Sequence, residues 1–390
     1  MFKEPSISLR INVEKWKGVA RYALPFFYIT FMTFGIPNFI GDIVREYSPW
    51  PELALGVNVV LAVCAVLAVG IGSAPILIYM ERKVCAHVQC RLGPMRLGWH
   101  GILQTVADVL KLLFKEVYSP KGVDTIMYYL APMISLTAPF FTLALIPFGA
   151  QWQVINLDFA VPAIIAINGL GLFAILLGGW ASNNKYSLLS ALRSGAQMIS
   201  YEVSFAVIML FVVMISGSAS LNDIIATQTG TVLNWWIFKL PVLGFVGFIM
   251  FMCISTAELN RAPFDIAEAE QELTAGFHTE YTGTAFAMFY LTEYINMIGA
   301  AALGSIFFLG GWHAPLIGIE AVDAKLLMIP DLVWMFAKIY FLIWLYMMFR
   351  WTWLRPRIDQ LMSFEWKFLL PLSLILLALG AAFTAMGWVL

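Results

Sequence analysis

Leu53–Tyr79, LALGVNVVLAVCAVLAVGIGSAPILIY, is the stretch whose reading decides the fold. It contains no charged residue and is long enough to cross a bilayer, which takes about 20 apolar residues at about 1.5 Å of rise each. Inside hydrocarbon every backbone N–H and C=O must find an internal partner, so such a run is a helix. It ends at Glu81-Arg82-Lys83, a charged triplet that reads, taken alone, as an interfacial anchor.

The same pattern recurs along the chain. Spans are expected over Leu53–Tyr79, Ile126–Ala150, Phe159–Trp180, Ala196–Ser216, Ile237–Ala257, Thr284–Gly310, Leu332–Phe349 and Phe368–Trp388. Tyr22–Gly41 is a ninth candidate, uncharged but interrupted by Pro25, Gly35 and Pro37. The 390 residues are 61% apolar and only 12% charged, against about 25% charged in an average soluble domain. The expected fold is therefore an all-α polytopic membrane bundle, eight core spans plus an N-terminal one, with long loops on one side. The net charge of −1 gives no global field for nucleic acid.

Orientation follows from Lys and Arg. Residues 81–124 carry Arg82, Lys83, Arg91, Arg96, Lys111, Lys115 and Lys121. From there the connections alternate. Gln151–Asp158 and Gly217–Trp236 have no cation, whereas Ser182–Gly195 has Lys185 and Arg193, and the last connection has Arg350, Arg355, Arg357 and Lys367. The basic side is assigned to the cytoplasm. A spanning Tyr22–Gly41 puts Lys3, Arg10, Lys15, Lys17 and Arg21 on that side too. On the same side, Gly101–Glu116 reads as an amphipathic helix, with Ile102, Val106, Val109, Leu110 and Leu113 at three- and four-residue spacing.

One connection is unlike the rest. Ala257–Tyr281, AELNRAPFDIAEAEQELTAGFHTEY, sets Glu258, Asp265, Glu268, Glu270, Glu272 and Glu280 against Arg261 alone. Pro263 ends the helix before it, and Asp265-x-x-Glu268 is suited to cap a new one. Glu268 and Glu272 share a helical face, and their repulsion favours taking up protons. Two readings stand, a proton relay or a solvated, capped helix. Glu202, Glu293 and Lys338 fall inside spans, where a charge faces a bundle interior or water. Asp108 lies on the amphipathic helix. Cys85 and Cys90 lack a second pair or clustered histidines, so neither a metal site nor a disulfide is expected. No motif for a resident redox cofactor is present.

ERKVCAHVQCRLGP (81–94), GILQTVADVLKLLFKE (101–116), NNKYSLLSALRSGAQMISYE (183–202), AELNRAPFDIAEAEQELTAGFHTEYTGTAFAMFYLTEY (257–294) and RPRIDQLMSFEWKFLLPL (355–372) closely resemble the H-subunit family of respiratory complex I, called subunit 1 in mitochondria. The resemblance covers 55–390 and leaves 1–54 as an unexplained extension. It implies a membrane-arm subunit of a proton-translocating NADH:quinone oxidoreductase, in a bacterial inner (plasma) membrane. Quinone is the implied substrate, with FMN and iron–sulfur clusters on partner subunits. The implied partners are other membrane-arm subunits and the quinone-site and cluster-bearing subunits of the peripheral arm. By motif, Asp108, Glu202, Glu258, Glu268, Glu270, Glu272, Glu280 and Glu293 are implied in a carboxylate proton path. Arg82, Arg91, Arg261, Phe264 and Arg350 are implied along the quinone passage. Gly93-Pro94-Met95-Arg96, Thr105, Leu354 and Ile358 depart from the family pattern. A relative fed by ferredoxin, deazaflavin or hydrogen, and a stand-alone ion transporter, are the competing readings. The retained acidic segment favours the quinone-reducing enzyme over the hydrogenase.

Overall fold

The computed structural model describes residues 51–150, 152–266 and 274–387. Among them the protein is all-helical, apart from one isolated bridge between Thr231 and Leu316. The helices in order are α1 (Pro51–Val88), α2 (Leu103–Leu113), α3 (Thr125–Leu145), α4 (Ala160–Ala181), α5 (Lys185–Ser216) and α6 (Leu221–Ala226). They continue as α7 (Trp236–Lys239), α8 (Leu243–Glu258), α9 (Gly283–Phe308), α10 (Glu320–Leu326), α11 (Asp331–Thr352), α12 (Ile358–Phe364) and α13 (Leu370–Ala385). A π-helical turn, Glu365–Leu369, joins the last two into one rod.

Among the described residues seven helices are long and apolar enough to cross a membrane: α1, α3, α4, α5, α9, α11 and the α12–α13 rod. The eighth expected span, Ile237–Ala257, is not one helix. The chain makes the short α7, turns at Leu240–Val242 and only then starts the 16-residue α8. Pro241 lies in the turn, where its missing N–H and fixed φ interrupt a helical ladder. About 24 Å of helix falls short of the hydrocarbon thickness, and one face of α8 packs into the bundle while Phe245 and Ile249 stay exposed. Its Met250, Phe251, Met252 and Ile254 are buried. Phe251 meets Phe205 of α5 and Phe307 and Phe308 of α9 at centroid distances of 5.7, 6.0 and 5.7 Å.

Two other boundaries shift. Helix α5 begins at Lys185 and the last rod at Ile358, because amphipathic turns extend the apolar runs beyond their uncharged cores. The Tyr22–Gly41 span, the five N-terminal cations, Glu268 and the cap it was to form with Asp265 lie outside the described residues, as do Glu270 and Glu272.

Small residues bring helices together. A Cβ on Gly179 of α4 would stand 2.2 Å from the Ala191 Cβ of α5 and 2.9 Å from the Ser187 carbonyl, a close approach of the kind membrane bundles use in place of large apolar contacts. Toward lipid, α1 exposes Val60, Val63, Ile71 and Ile76.

Polar ties fasten both ends of the bundle. At the end carrying the acidic segment, the Asp124 N–H donates to the Ala181 carbonyl (3.3 Å) and Ser187 Oγ to the Phe277 carbonyl (2.7 Å). Tyr128 and Tyr281 stack there at 4.2 Å, and burial, followed by the neighbouring Tyr128, pushes the Tyr281 phenol up. At the opposite end the buried Lys338 ammonium donates to the carbonyls of Leu309 (2.6 Å), Gly311 (2.8 Å) and His313 (2.7 Å), and lies 4.2 Å from the Trp235 ring centroid. Desolvation and the nearby Lys338 push His313 down, keeping that imidazole neutral.

Lys338 thus serves the carbonyls released where α9 ends. Lys338→Met is expected to destabilise the protein by about 1–3 kcal/mol for a buried acceptor left without a donor. The check is the unfolding temperature in detergent. An unchanged value would mean that water replaces the amine.

Candidate functional site

Four positions of α1 at helical spacing, Ala74, Leu77, Glu81 and Cys85, are all buried. They form one stripe facing the bundle, and the stripe carries Glu81 inward with it. At 7% exposure Glu81 is not an interfacial anchor. Its Oε2 accepts from Arg261 (2.8 Å) and from the Tyr294 hydroxyl (2.8 Å), and its Oε1 accepts from Arg350.

Arg261 reaches this point because the chain turns back sharply after α8. Asn260 takes a left-handed φ of 49°, which asparagine tolerates better than most residues. The Phe264 N–H then closes a turn on the Arg261 carbonyl at 2.9 Å. The buried Gln197 of α5 pins the loop by donating to the Ala257 and Phe264 carbonyls, each at 2.8 Å.

The Arg261 guanidinium is 6% exposed, lies 4.4 Å from the Tyr294 ring centroid and pairs with Glu293 at 3.8 Å. Burial disfavours its charge, but Glu81 foremost, then Tyr294 and Glu293, hold it protonated well above the ordinary range. It is a fixed cation. The Tyr290 hydroxyl continues the network to Tyr294 at 3.1 Å.

Over this network opens a broad cleft. Its walls include Arg82 of α1, Arg91, Leu92 and Pro94 from the segment after α1, Tyr290 and Glu293 from α9, and Arg350 and Trp351 from α11. The lining therefore combines charged groups with apolar ones. Arg82 also bonds Asp108 of α2 at 2.6 Å, and Gln104 donates to the same carboxylate at 3.1 Å. That holds α2 against α1 with Thr105 buried and Leu103, Val106, Leu110 and Leu113 exposed.

A second, narrow inner cavity lies deeper in the bundle. Glu258, at the end of α8, lines it with Asn168, Asn296, Ser255 and Thr142. Glu202 of α5 lies within electrostatic reach of Glu258, and its Oε1 is 3.2 Å from where a Cβ on Gly169 would stand.

The residues singled out from sequence therefore separate into groups. Arg261, Arg350 and, through Arg261, Glu293 gather around Glu81. Arg82 lines the cleft and ties to Asp108, and Arg91 stands at the cleft with its guanidinium on Gln89 (2.7 Å). Glu258 lines the inner cavity, and Glu202 lies within electrostatic reach of that carboxylate. Phe264 is buried against Tyr201, ring centroids 6.0 Å apart, behind the Arg261 turn. Glu280 accepts from Asn184 at 2.6 Å, and its carbonyl accepts from the Tyr128 hydroxyl at 2.7 Å, so it fastens the loop to α3 and α5.

The sequence reading missed Glu81 as the hub, and with it Tyr290 and Tyr294. The signal was available in the stripe at positions 74, 77, 81 and 85. Among the described residues no group of three or more His, Cys, Asp or Glu is arranged to hold a metal ion.

Comparison with known proteins gives the chain its relatives. The family model described as NADH dehydrogenase matches residues 60–381. The NADH-quinone oxidoreductase H subunit of Bacteroides thetaiotaomicron is 44% identical over 360 residues, covering 90% of this chain and 98% of its own length. The H subunit of Carboxydothermus hydrogenoformans is 46% identical over 314 residues, covering 80% of this chain and 85% of its own. An H subunit of Geobacter metallireducens is 44% identical over 317 residues, covering 76% and 87%.

Proposed function

Because the chain belongs to the NADH dehydrogenase family, as the complex I membrane subunit known as the H subunit of NADH-quinone oxidoreductase, we propose that its cleft receives a quinone and that its buried carboxylates take up and pass on protons. The observation that carries this reading is Glu81, buried beneath the cleft between Arg261, Arg350 and Tyr294. A quinone has a polar headgroup on an apolar tail, which suits a cleft lined by both charged and apolar groups. Electrons reach the headgroup from a cluster on a peripheral-arm partner, and this chain supplies position and charge.

Negative charge developing on a headgroup in the cleft competes with Glu81 for Arg350, whose side chain is partly exposed, whereas Arg261 is buried and cannot follow. Drawing Arg350 away removes one of the two cations that stabilise the Glu81 anion and makes the carboxylate a better proton acceptor. Glu293, paired with Arg261, feels the same change. Glu258 sits three residues before Arg261 and opens onto the inner cavity. The path then runs from Glu81 and Glu293 to Glu258 and Glu202. The basic and acidic loops face the cytoplasm of a bacterial inner membrane and dock the peripheral arm.

Arg350→Ala in the intact complex tests the cleft. Loss of a charged hydrogen-bonding partner, about 1.5–3 kcal/mol, is expected to raise the apparent KM for a short-chain quinone about tenfold or more, with electron delivery to an artificial acceptor unchanged. An unmoved KM would return Arg350 to the role of an interfacial anchor.

A further inference from the structure

The last rod carries a carboxylate that neither the cleft nor the acidic segment uses. Glu365 opens the π-helical turn and is 0% exposed, whereas its neighbours Phe364, Trp366 and Phe368 are exposed. Glu365 therefore points into the bundle. π-Helical turns widen the backbone and recur at functional sites.

Glu365 Oε1 accepts from Ser204 Oγ of α5, and its Oε2 is buried with no hydrogen-bond partner among the described residues. No cation pairs with it among those residues. Within electrostatic reach of it is Tyr201 of α5, whose hydroxyl donates to the Leu361 carbonyl at 3.2 Å, and Cys253 of α8 lies in turn within reach of Tyr201. Glu202 points the other way, toward Gly169. Behind Cys253, Ser255 Oγ and the Tyr346 hydroxyl lie 2.7 Å apart, and Ser255 lines the inner cavity with Glu258.

A buried carboxylate without a countercharge is costly, and a structural pin would need only the Ser204 contact. Ser204 can donate to the anion, while Oε2 has no donor among the described residues to hold it in that form. A carboxyl so placed is suited to exchange a proton.

We infer that Glu365 is a reversible proton-binding residue of the membrane domain, taking one proton at Oε2 and releasing the same proton as charge in the inner cavity changes. No electron moves and no bond other than O–H forms or breaks. The inference rests on the proposed function only for the turnover that drives it.

Difference infrared spectra of the intact, membrane-reconstituted complex test this, recorded after a pH jump and separately after quinol addition. The pH-jump spectrum is expected to contain a carboxylic-acid C=O band that is lost in Glu365→Gln and displaced in Ser204→Ala, which keeps the carboxyl but removes the donor to Oε1. If Glu365→Gln assembles poorly, the Ser204→Ala displacement alone decides. A pH-jump spectrum unchanged by both substitutions overturns the inference. A pH-jump band that obeys these expectations in a complex with no quinol response supports Glu365 and sinks the quinone reading instead.

Discussion

Arg261→Met is expected to cost the complex nearly all its quinone reductase activity and much of its assembled membrane arm. Arg261 is the one cation of the site that is almost entirely buried, and it touches three partners at once: Glu81, Glu293 and the face of Tyr294. Methionine fills a similar volume but leaves Glu81 with only the partly exposed Arg350. Removing one partner of a buried pair typically costs about 3–5 kcal/mol, because the remaining charge is stranded. That corresponds to a loss of about two to four orders of magnitude in the population of the native site. Lysine restores the charge but not the planar fork that serves Glu81 while stacking on Tyr294, so Arg261→Lys is expected to fall between the two. Addition of Glu81→Gln to Arg261→Met removes the stranded charge and should recover assembly on a native gel, although not activity. A double variant no better assembled than Arg261→Met alone would mean that Arg261 acts through packing rather than charge.

The membrane helices were legible because lipid leaves the backbone no other choice, and length in apolar residues then sets each span. Helix α8 escaped that reading for a related reason. Hydropathy sums composition over a window, and Pro241 lowers the sum hardly at all while ending the hydrogen-bond ladder. Buried helices inside a bundle are under no obligation to match the bilayer thickness. The charged site was legible where a residue type is rare in its setting, as with Arg261 in an acidic segment or Glu293 inside an apolar run. Glu81 was masked by its company, since next to Arg82 and Lys83 it looks like the edge of a span. Glu365, between Phe364 and Trp366-Lys367, was masked in the same way. In both cases the helical face decides, and adjacency in sequence misleads. The charge of Glu280 stood out in the sequence, but its partner, Asn184 at the cap of α5, did not.

Glu258→Gln is the second large effect expected. The α8 terminus puts this carboxylate on the wall of the inner cavity, three residues before the arginine that holds Glu81. In the proposed path it is the position at which a change of charge in the cleft reaches the polar groups inside the bundle. Glutamine keeps the shape and the hydrogen-bonding capacity and abolishes proton exchange, so the fold should persist. Proton translocation in proteoliposomes is expected to fall at least about tenfold, the lower range for loss of an acid–base group being larger still. Quinone reduction should fall with it, because coupled steps stall together, while reduction of an artificial acceptor upstream continues. Glu202→Gln should produce the same phenotype, and the double variant should be scarcely worse than either, as expected of residues acting in one path. Glu258→Asp retains the titrating group on a shorter arm and should keep part of the activity. Normal proton-to-electron stoichiometry in Glu258→Gln would remove the inner cavity from the path and leave Glu81 and Glu293 to deliver protons by another route.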